Sequence, residues 1–194
     1  MNIILLSIFA YLLGSISFGF LIGKAHKVDI RTIGSKSTTS TNLSRALGWR
    51  WGVVSALGDF LKGVIPVLLA QQYLTGYDLV LVSLLPMVGH IFPIYLGFKG
   101  GKGAATFFGA TITLIGPKFF LMSFLIWIIA LAIFRVASLT NLIFVWSLAI
   151  LLFFNFPFHY FIYGLLGALI MTWAMRENIE RLMAGTEPKV NFKW

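Results

Sequence analysis

The chain has 194 residues, 59% of them hydrophobic and 11% charged, with a mean hydropathy of +0.92. Soluble domains carry roughly 25% charged and about 45–50% apolar residues, so this composition excludes a soluble globular protein and points to an integral membrane protein. There is no cysteine, which excludes disulfides and thiolate metal sites, and the net charge of +9 lies between apolar runs, where membrane topology accounts for it without nucleic acid.

A helix needs about 20 residues to cross ~30 Å of hydrocarbon, fewer where it is broken or buried by neighbours. In chain order, spans are expected near residues 2–23, 51–74, 78–97, 104–116, 117–134, 138–154 and 157–175. The first is not expected to be a cleavable signal, because Lys24 and Lys27 follow the apolar run instead of preceding it. The fourth is too short to cross straight, and Gly116-Pro117 separates it from the fifth as a turn. Residues 176–194 read as a polar tail.

Lysine and arginine then sort by connection. Residues 24–50 hold Lys24, Lys27, Arg31, Lys36, Arg45 and Arg50; residues 98–103 hold Lys99 and Lys102; Arg135 precedes the sixth span. The tail holds Arg176, Arg181, Lys189 and Lys193, and the opposite side holds only Lys118. Seven spans place the first thirteen charges on one face, which the positive-inside rule makes cytoplasmic. The expected fold is therefore an all-α integral membrane protein. It forms one domain over residues 1–194, with seven transmembrane helices, some short, the N-terminus outside and the C-terminus cytoplasmic. No internal repeat stands out, which argues against a transporter.

Ionisable groups inside a membrane are costly and usually face a partner or a wet cavity. Asp59 and Lys62 stand three apart in the second span, on one helix face. They are either an internal pair or part of a polar site. His90, in Gly89-His90-Ile91-Phe92-Pro93, is a candidate binding residue or a helix-to-helix hydrogen bond. No second histidine lies at metal-ligand spacing, so no metal site is expected, and no cofactor.

Two cytoplasmic stretches have the chemistry of phosphate binding. FKGGKGAATFFGA, Phe98–Ala110, sets Gly100, Gly101 and Gly103 around Lys102, just before a helical run. Glycine lets backbone approach a ligand closely; successive amides can form an anion nest, the helix N-terminus adds its dipole, and lysine supplies a mobile charge. The spacing is not that of a nucleotide-binding loop. The stretch DIRTIGSKSTTSTNLSRALG, Asp29–Gly48, offers Gly34, Ser35, Thr41, Asn42 and Arg45 as backbone, hydroxyl, amide and guanidinium donors. The alternative for each stretch alone is a solvated basic loop. Further along, Arg135-Val136-Ala137-Ser138 reads as a snorkelling arginine with a helix cap, and Asn178-Ile179-Glu180-Arg181-Leu182 as a polar helix end.

These motifs in this order resemble the bacterial membrane glycerol-3-phosphate acyltransferases that use acyl phosphate. The likeness covers nearly the whole chain. It rests on YLLGSISFG, DIRTIGS with TN and Arg45, DFLKG, GHIFPIYLGFKGGKGAAT, FRVASL, RENIERL and GTE. The resemblance implies seven helices in the bacterial inner membrane and transfer of a fatty acyl group from acyl phosphate to the 1-hydroxyl of glycerol 3-phosphate. The product would be lysophosphatidic acid, with no cofactor. The implied site residues are Ser35 and Arg45, Lys102, Ser138 and Asn178. The chain departs from the family pattern at identifiable places. Where the family's first loop usually reads G-S-G-N-x-G-A-T-N, this chain has Lys36, Ser37 and Thr39; where Arg-His usually precedes E-N-I, it has Ala174-Met175. A catalytically weakened or inactive paralogue that binds phosphate-bearing lipid precursors is the alternative these departures raise.

Overall fold

A computed structural model of the chain describes residues 2–190; Lys193, counted above in the tail, lies outside them. Among the described residues all regular structure is helical. The chain divides after Leu114 into two compact units.

The first unit holds α1 (Ile3–Gly14), α2 (Phe18–Ala25), α3 (Ser40–Leu47), α4 (Trp49–Ala70), α5 (Gly76–Ile91) and the start of α6 (Ala104–Phe134). The first expected span is broken between α1 and α2. Ser15 Oγ donates to the Tyr11 carbonyl at 2.8 Å, and Ser17 caps α2 by accepting from Phe20 N at 3.4 Å. The break exposes the Ile16 carbonyl, and Lys62 Nζ donates to it from α4. Hydrocarbon offers no water for such a carbonyl, so a broken membrane helix needs a partner of this kind.

Lipid tails are as apolar as leucine, so packing inside a membrane relies on close backbone approach. α1 packs on α5, with Gly14 against the Pro86 backbone and Gly89 against the Tyr11 carbonyl. α4 approaches the start of α6 in the same way: Gly63 faces the Thr106 carbonyl and Gly109 the Phe60 carbonyl. Leu5, Leu57 and Leu68 point outward and are more than half exposed, while Asp59, Lys62, His90 and Thr106 are buried. Apolar side chains outside and polar ones inside is the arrangement a lipid solvent favours.

The stretch 24–50, expected to be loop, contains α3. Thr39 caps it, its hydroxyl accepting from Asn42 N at 3.3 Å, and Gly48 ends it at φ 91°. α3 is short and polar and packs on α4, so its stability comes from tertiary contact and hydropathy does not reveal it.

The second unit holds the rest of α6, then α7 (Ala137–Asn155), α8 (Phe158–Ala174) and α9 (Arg176–Met183). The helical run of α6 is interrupted at Gly116, with φ 79° and ψ 162°, immediately before Pro117. Glycine accepts this left-handed φ and proline lacks the amide a continuous helix needs there. α7 lies along α8, where Gly164 meets the Ala149 backbone. α9 leaves α8 at 65°, so the expected polar tail begins with a helix.

Among the described residues five helical segments are long and apolar enough to cross a bilayer: Ile3–Ala25, Trp49–Ala70, Gly76–Leu96, Ala104–Phe134 and Ala137–Asn155. The bent pair α8–α9 makes up to six. The protein is a helical, multi-pass membrane protein.

Candidate functional site

Asn42 organises the first loop. It is fully buried in the first turn of α3, and its Nδ2 lies 2.8 Å from the Ile30 carbonyl and 3.0 Å from those of Ile33 and Ser37. Two amide hydrogens serve three acceptors, so one bond is shared. Its Oδ1 accepts from Ser35 N at 3.1 Å. The amide expected to touch substrate is thus committed to the loop backbone. A Cβ on Gly34, at φ 53°, would strike Asn42 Oδ1 and stand 3.9 Å from Arg45 Cδ. Gly34, Ser35, Asn42 and Arg45 are therefore gathered, and Thr41 sits half-buried beside them in α3.

Above this frame runs a chain of hydroxyls. Ser35 Oγ is 2.8 Å from Ser37 Oγ, which is 3.3 Å from Thr39 Oγ1. Ser37 and Thr39 are two of the positions at which the chain departs from the pattern it resembles. Lys36, another, stands at φ 54°. The loop places a lysine on left-handed backbone that glycine takes easily, at a cost of roughly 1–2 kcal/mol. Nearby, Asp29 forms a two-point ion pair with Arg31, at 3.0 and 2.8 Å. The Arg31 hydrogen bonds lower the Asp29 pKa to about 2. A surface hollow of about 400 Å³ is lined by Phe20, Lys24, Lys27, Val28 and this pair, and not by Ser35 or Arg45.

Two amides of the glycine loop go to protein carbonyls. Gly101 N donates to the His90 carbonyl at 3.0 Å and Gly100 N to that of Ile91 at 3.2 Å. These two amides pin the loop to the end of α5. A Cβ on Gly100 would meet the same backbone, and one on Gly101 would enter the His90 ring. Gly103, at φ 81°, lets the chain turn into α6 against Met87 and Ile91. Lys102 is held half-buried between two buried glycines.

Beneath this loop lies a buried polar cluster. Lys62 Nζ is 3.0 Å from Asp59 Oδ1, and His90 Nδ1 is 3.5 Å from the same oxygen. Thr106 Oγ1, in the first turn of α6, is 3.4 Å from His90 Nδ1. Asp59 and Lys62 do form an internal pair, one of the two alternatives above, and His90 lies against it.

In the second unit a residue that sequence reading did not single out gathers the candidates. Glu187 Oε1 accepts from Ser138 Oγ and Asn178 Nδ2, each at 2.7 Å, and its Oε2 accepts from Arg181 Nε at 2.7 Å. Val190 N adds a bond to the Arg135 carbonyl at 2.7 Å, closing the tail onto the start of α7. Burial raises the Glu187 pKa, but the hydrogen bonds from Asn178, Ser138 and Arg181 outweigh it and hold the carboxyl below its ordinary value. Asn178 Oδ1 is buried with no hydrogen-bond partner among the described residues. The signal for Glu187 was the GTE motif, which carries no chemistry until the fold returns it to Ser138. Ala174 and Met175, at the α8–α9 bend, are buried, Met175 to 1% exposure. Among the described residues no cluster of side chains could hold a metal ion.

A family profile described as glycerol-3-phosphate acyltransferase matches residues 4–185. A "Glycerol-3-phosphate acyltransferase" of Aquifex aeolicus is 41% identical, covering 96% of this chain and 98% of its own. One of Rubrobacter xylanophilus is 39% identical, covering 96% and 94%. Among solved structures, that of PlsY (YgiH), an integral membrane glycerol 3-phosphate acyltransferase in its glycerol 3-phosphate form, superposes with a TM-score of 0.93 at 38% identity, covering 97% of this chain and 96% of that one. Its lysophosphatidic acid form gives 0.88 at the same identity. The chain belongs to the glycerol-3-phosphate acyltransferase family.

Proposed function

We propose that the protein transfers a fatty acyl group from acyl phosphate to the 1-hydroxyl of glycerol 3-phosphate, making lysophosphatidic acid for phospholipid synthesis. The observation that carries this reading is the full-length similarity to glycerol-3-phosphate acyltransferases, together with Ser35, Arg45, Lys102, Ser138 and Asn178 standing at the motif positions. Acyl phosphate is a mixed anhydride. The hydroxyl oxygen bonds to the acyl carbon, the acyl carbon–phosphate oxygen bond breaks, and phosphate leaves, carrying the hydroxyl proton on one of its oxygens. Such a donor needs positioning and charge stabilisation more than a strong base.

Lys102 and Arg45 hold the phosphates, and the Ser35 hydroxyl adds a donor within the cradle. Asn42 acts one step back, by fixing the loop that carries Ser35. Gly34 and Thr41 shape the same cradle, and Gly100, Gly101, Gly103 and His90 set the position of Lys102. Ser138 and Asn178, held by Glu187, orient the glycerol. The protein lies in the bacterial cytoplasmic membrane as one membrane domain, with the N-terminus outside and the two basic loops and tail cytoplasmic. Seven spans follow if α6 counts as two. A straight 31-residue helix would run about 46 Å against ~30 Å of hydrocarbon, and Gly116 divides it.

A second reading has its own observation. Met175 is buried where the family usually has histidine, and methionine neither donates a hydrogen bond nor titrates. On that reading the protein binds the substrates and turns over slowly. Purified protein offered labelled glycerol 3-phosphate with palmitoyl phosphate or palmitoyl-CoA tests both. Product from palmitoyl phosphate alone supports transfer. Binding without product supports the second reading, and product from the CoA ester alone contradicts the donor assignment.

A further inference from the structure

Asp59, Lys62 and His90 are the most buried ionisable groups of the first unit, and the phosphate-holding roles proposed above leave Asp59 and Lys62 without one. Stability is a poor explanation for them. Taking two ions out of water costs as much as, or more than, their pairing returns, and apolar residues of similar volume often do as well. Asp59 Oδ1 sits 3.0 Å from the Lys62 ammonium and 3.5 Å from His90 Nδ1, yet accepts no well-aligned hydrogen bond among the described residues. The one carboxylate oxygen thus stands between the Lys62 ammonium and the His90 ring, in contact distance of both.

What the cluster touches is informative. On one side Lys62 reaches the Ile16 carbonyl at the break between α1 and α2. On the other, His90 meets Thr106 at the start of α6. Between them the His90 ring lies where a Gly101 side chain would be, and the His90 carbonyl receives the Gly101 amide. The residue after Gly101 is Lys102. Four elements are thus tied through Asp59 to the backbone that carries the loop lysine.

We propose that Asp59 and Lys62 are positioning residues. They lock His90 against Gly101 and so fix where Lys102 presents its ammonium to a substrate phosphate. The inference rests on the acyltransferase reading for the role of Lys102, and its test has a readout independent of turnover. The full chain in lipid nanodiscs is treated with an amine-acetylating reagent, and acetylation of Lys102 is followed by mass spectrometry with and without glycerol 3-phosphate. In wild type the substrate should slow labelling at least fivefold. In Asp59→Asn, folded to the same thermal midpoint within a few degrees, the glycerol 3-phosphate concentration giving half protection should rise at least tenfold. KM for glycerol 3-phosphate should rise in parallel, and Asp59→Glu should recover part of both.

Unchanged protection in folded Asp59→Asn overturns the proposal. If that variant does not fold, Asp59→Leu/Lys62→Met decides. Folding with lost protection supports positioning, whereas folding with normal protection, or failure of both variants to fold, assigns the cluster to stability and overturns it. Wild-type protein that is protected but makes no lysophosphatidic acid would sink the acyltransferase reading and leave the positioning test intact. Absence of protection in wild type would overturn the phosphate role of Lys102 and this proposal with it.

Discussion

Glu187→Gln isolates the clamp that holds Ser138 and Asn178. The substitution keeps the shape and removes the charge. The side-chain oxygen can still accept from Ser138 and Asn178, but as neutral bonds of about 0.5–1.5 kcal/mol in place of charge-assisted ones of about 1.5–3, a loss of about 1 kcal/mol at each. Arg181 Nε, now 2.7 Å from a carboxylate oxygen, would face an amide NH₂. Arg181 is 35% exposed, so this pair is screened and adds no more than about 1 kcal/mol. The expected sum is about 2–3 kcal/mol, or roughly 30- to 150-fold in the equilibrium between docked and undocked tail. Hydrogen exchange in detergent reads it directly. The Val190 amide, bonded to the Arg135 carbonyl, should exchange faster by that factor, while α4 and α5 keep their protection. kcat/KM for glycerol 3-phosphate should fall comparably, because Ser138 and Asn178 lose their anchor. Unchanged exchange at Val190 together with unchanged kcat/KM would refute the reasoning.

The same clamp sets a pH dependence. A carboxyl whose native pKa is depressed contributes its full stability above its ordinary value, 4.5 for Glu187, and loses it as pH falls through the native value. Val190 protection, corrected for intrinsic exchange, should therefore be constant from pH 8 to pH 5 and decline only below about 4.5; a decline beginning at pH 6 would contradict the assignment. Lys36→Gly should stabilise the protein by about 0.5–1 kcal/mol, the left-handed strain relieved less the greater freedom of glycine in the unfolded chain, and a lower thermal midpoint would count against this. Ala174→Arg/Met175→His, which restores the family pattern at the α8–α9 bend, should raise kcat/KM by tenfold or more if the missing histidine limits the rate, and a fall would show that the site has been rebuilt around methionine.

The helical, multi-pass membrane class was legible because hydropathy reports it directly. The boundaries of α4, α5, α7 and α8 follow the apolar runs, and the Gly116-Pro117 interruption followed from two residue types. Other features depend on contacts that no local pattern carries. α3 is a short polar helix inside what reads as a loop, stabilised by packing on α4. The break after α1 survives because Lys62, 46 positions away, reaches its open carbonyl. The glycines at 100 and 101 signalled close backbone approach, and the fold shows one partner, the end of α5, which the residue type alone does not name. Asn42 looked like a ligand donor and is a loop organiser, because sequence shows which groups can donate and not which acceptors they meet. Glu187 was hidden for the same reason.

The central claim is that Lys102 serves an acyl transfer from acyl phosphate to glycerol 3-phosphate. The direct measurement supplies purified wild-type protein and Lys102→Ala, both in nanodiscs, with palmitoyl phosphate and labelled glycerol 3-phosphate, and quantifies lysophosphatidic acid. Wild type should make product, and Lys102→Ala at least a hundredfold less at equal folded protein. Full activity in Lys102→Ala, or no product from wild type with any acyl donor, would contradict it.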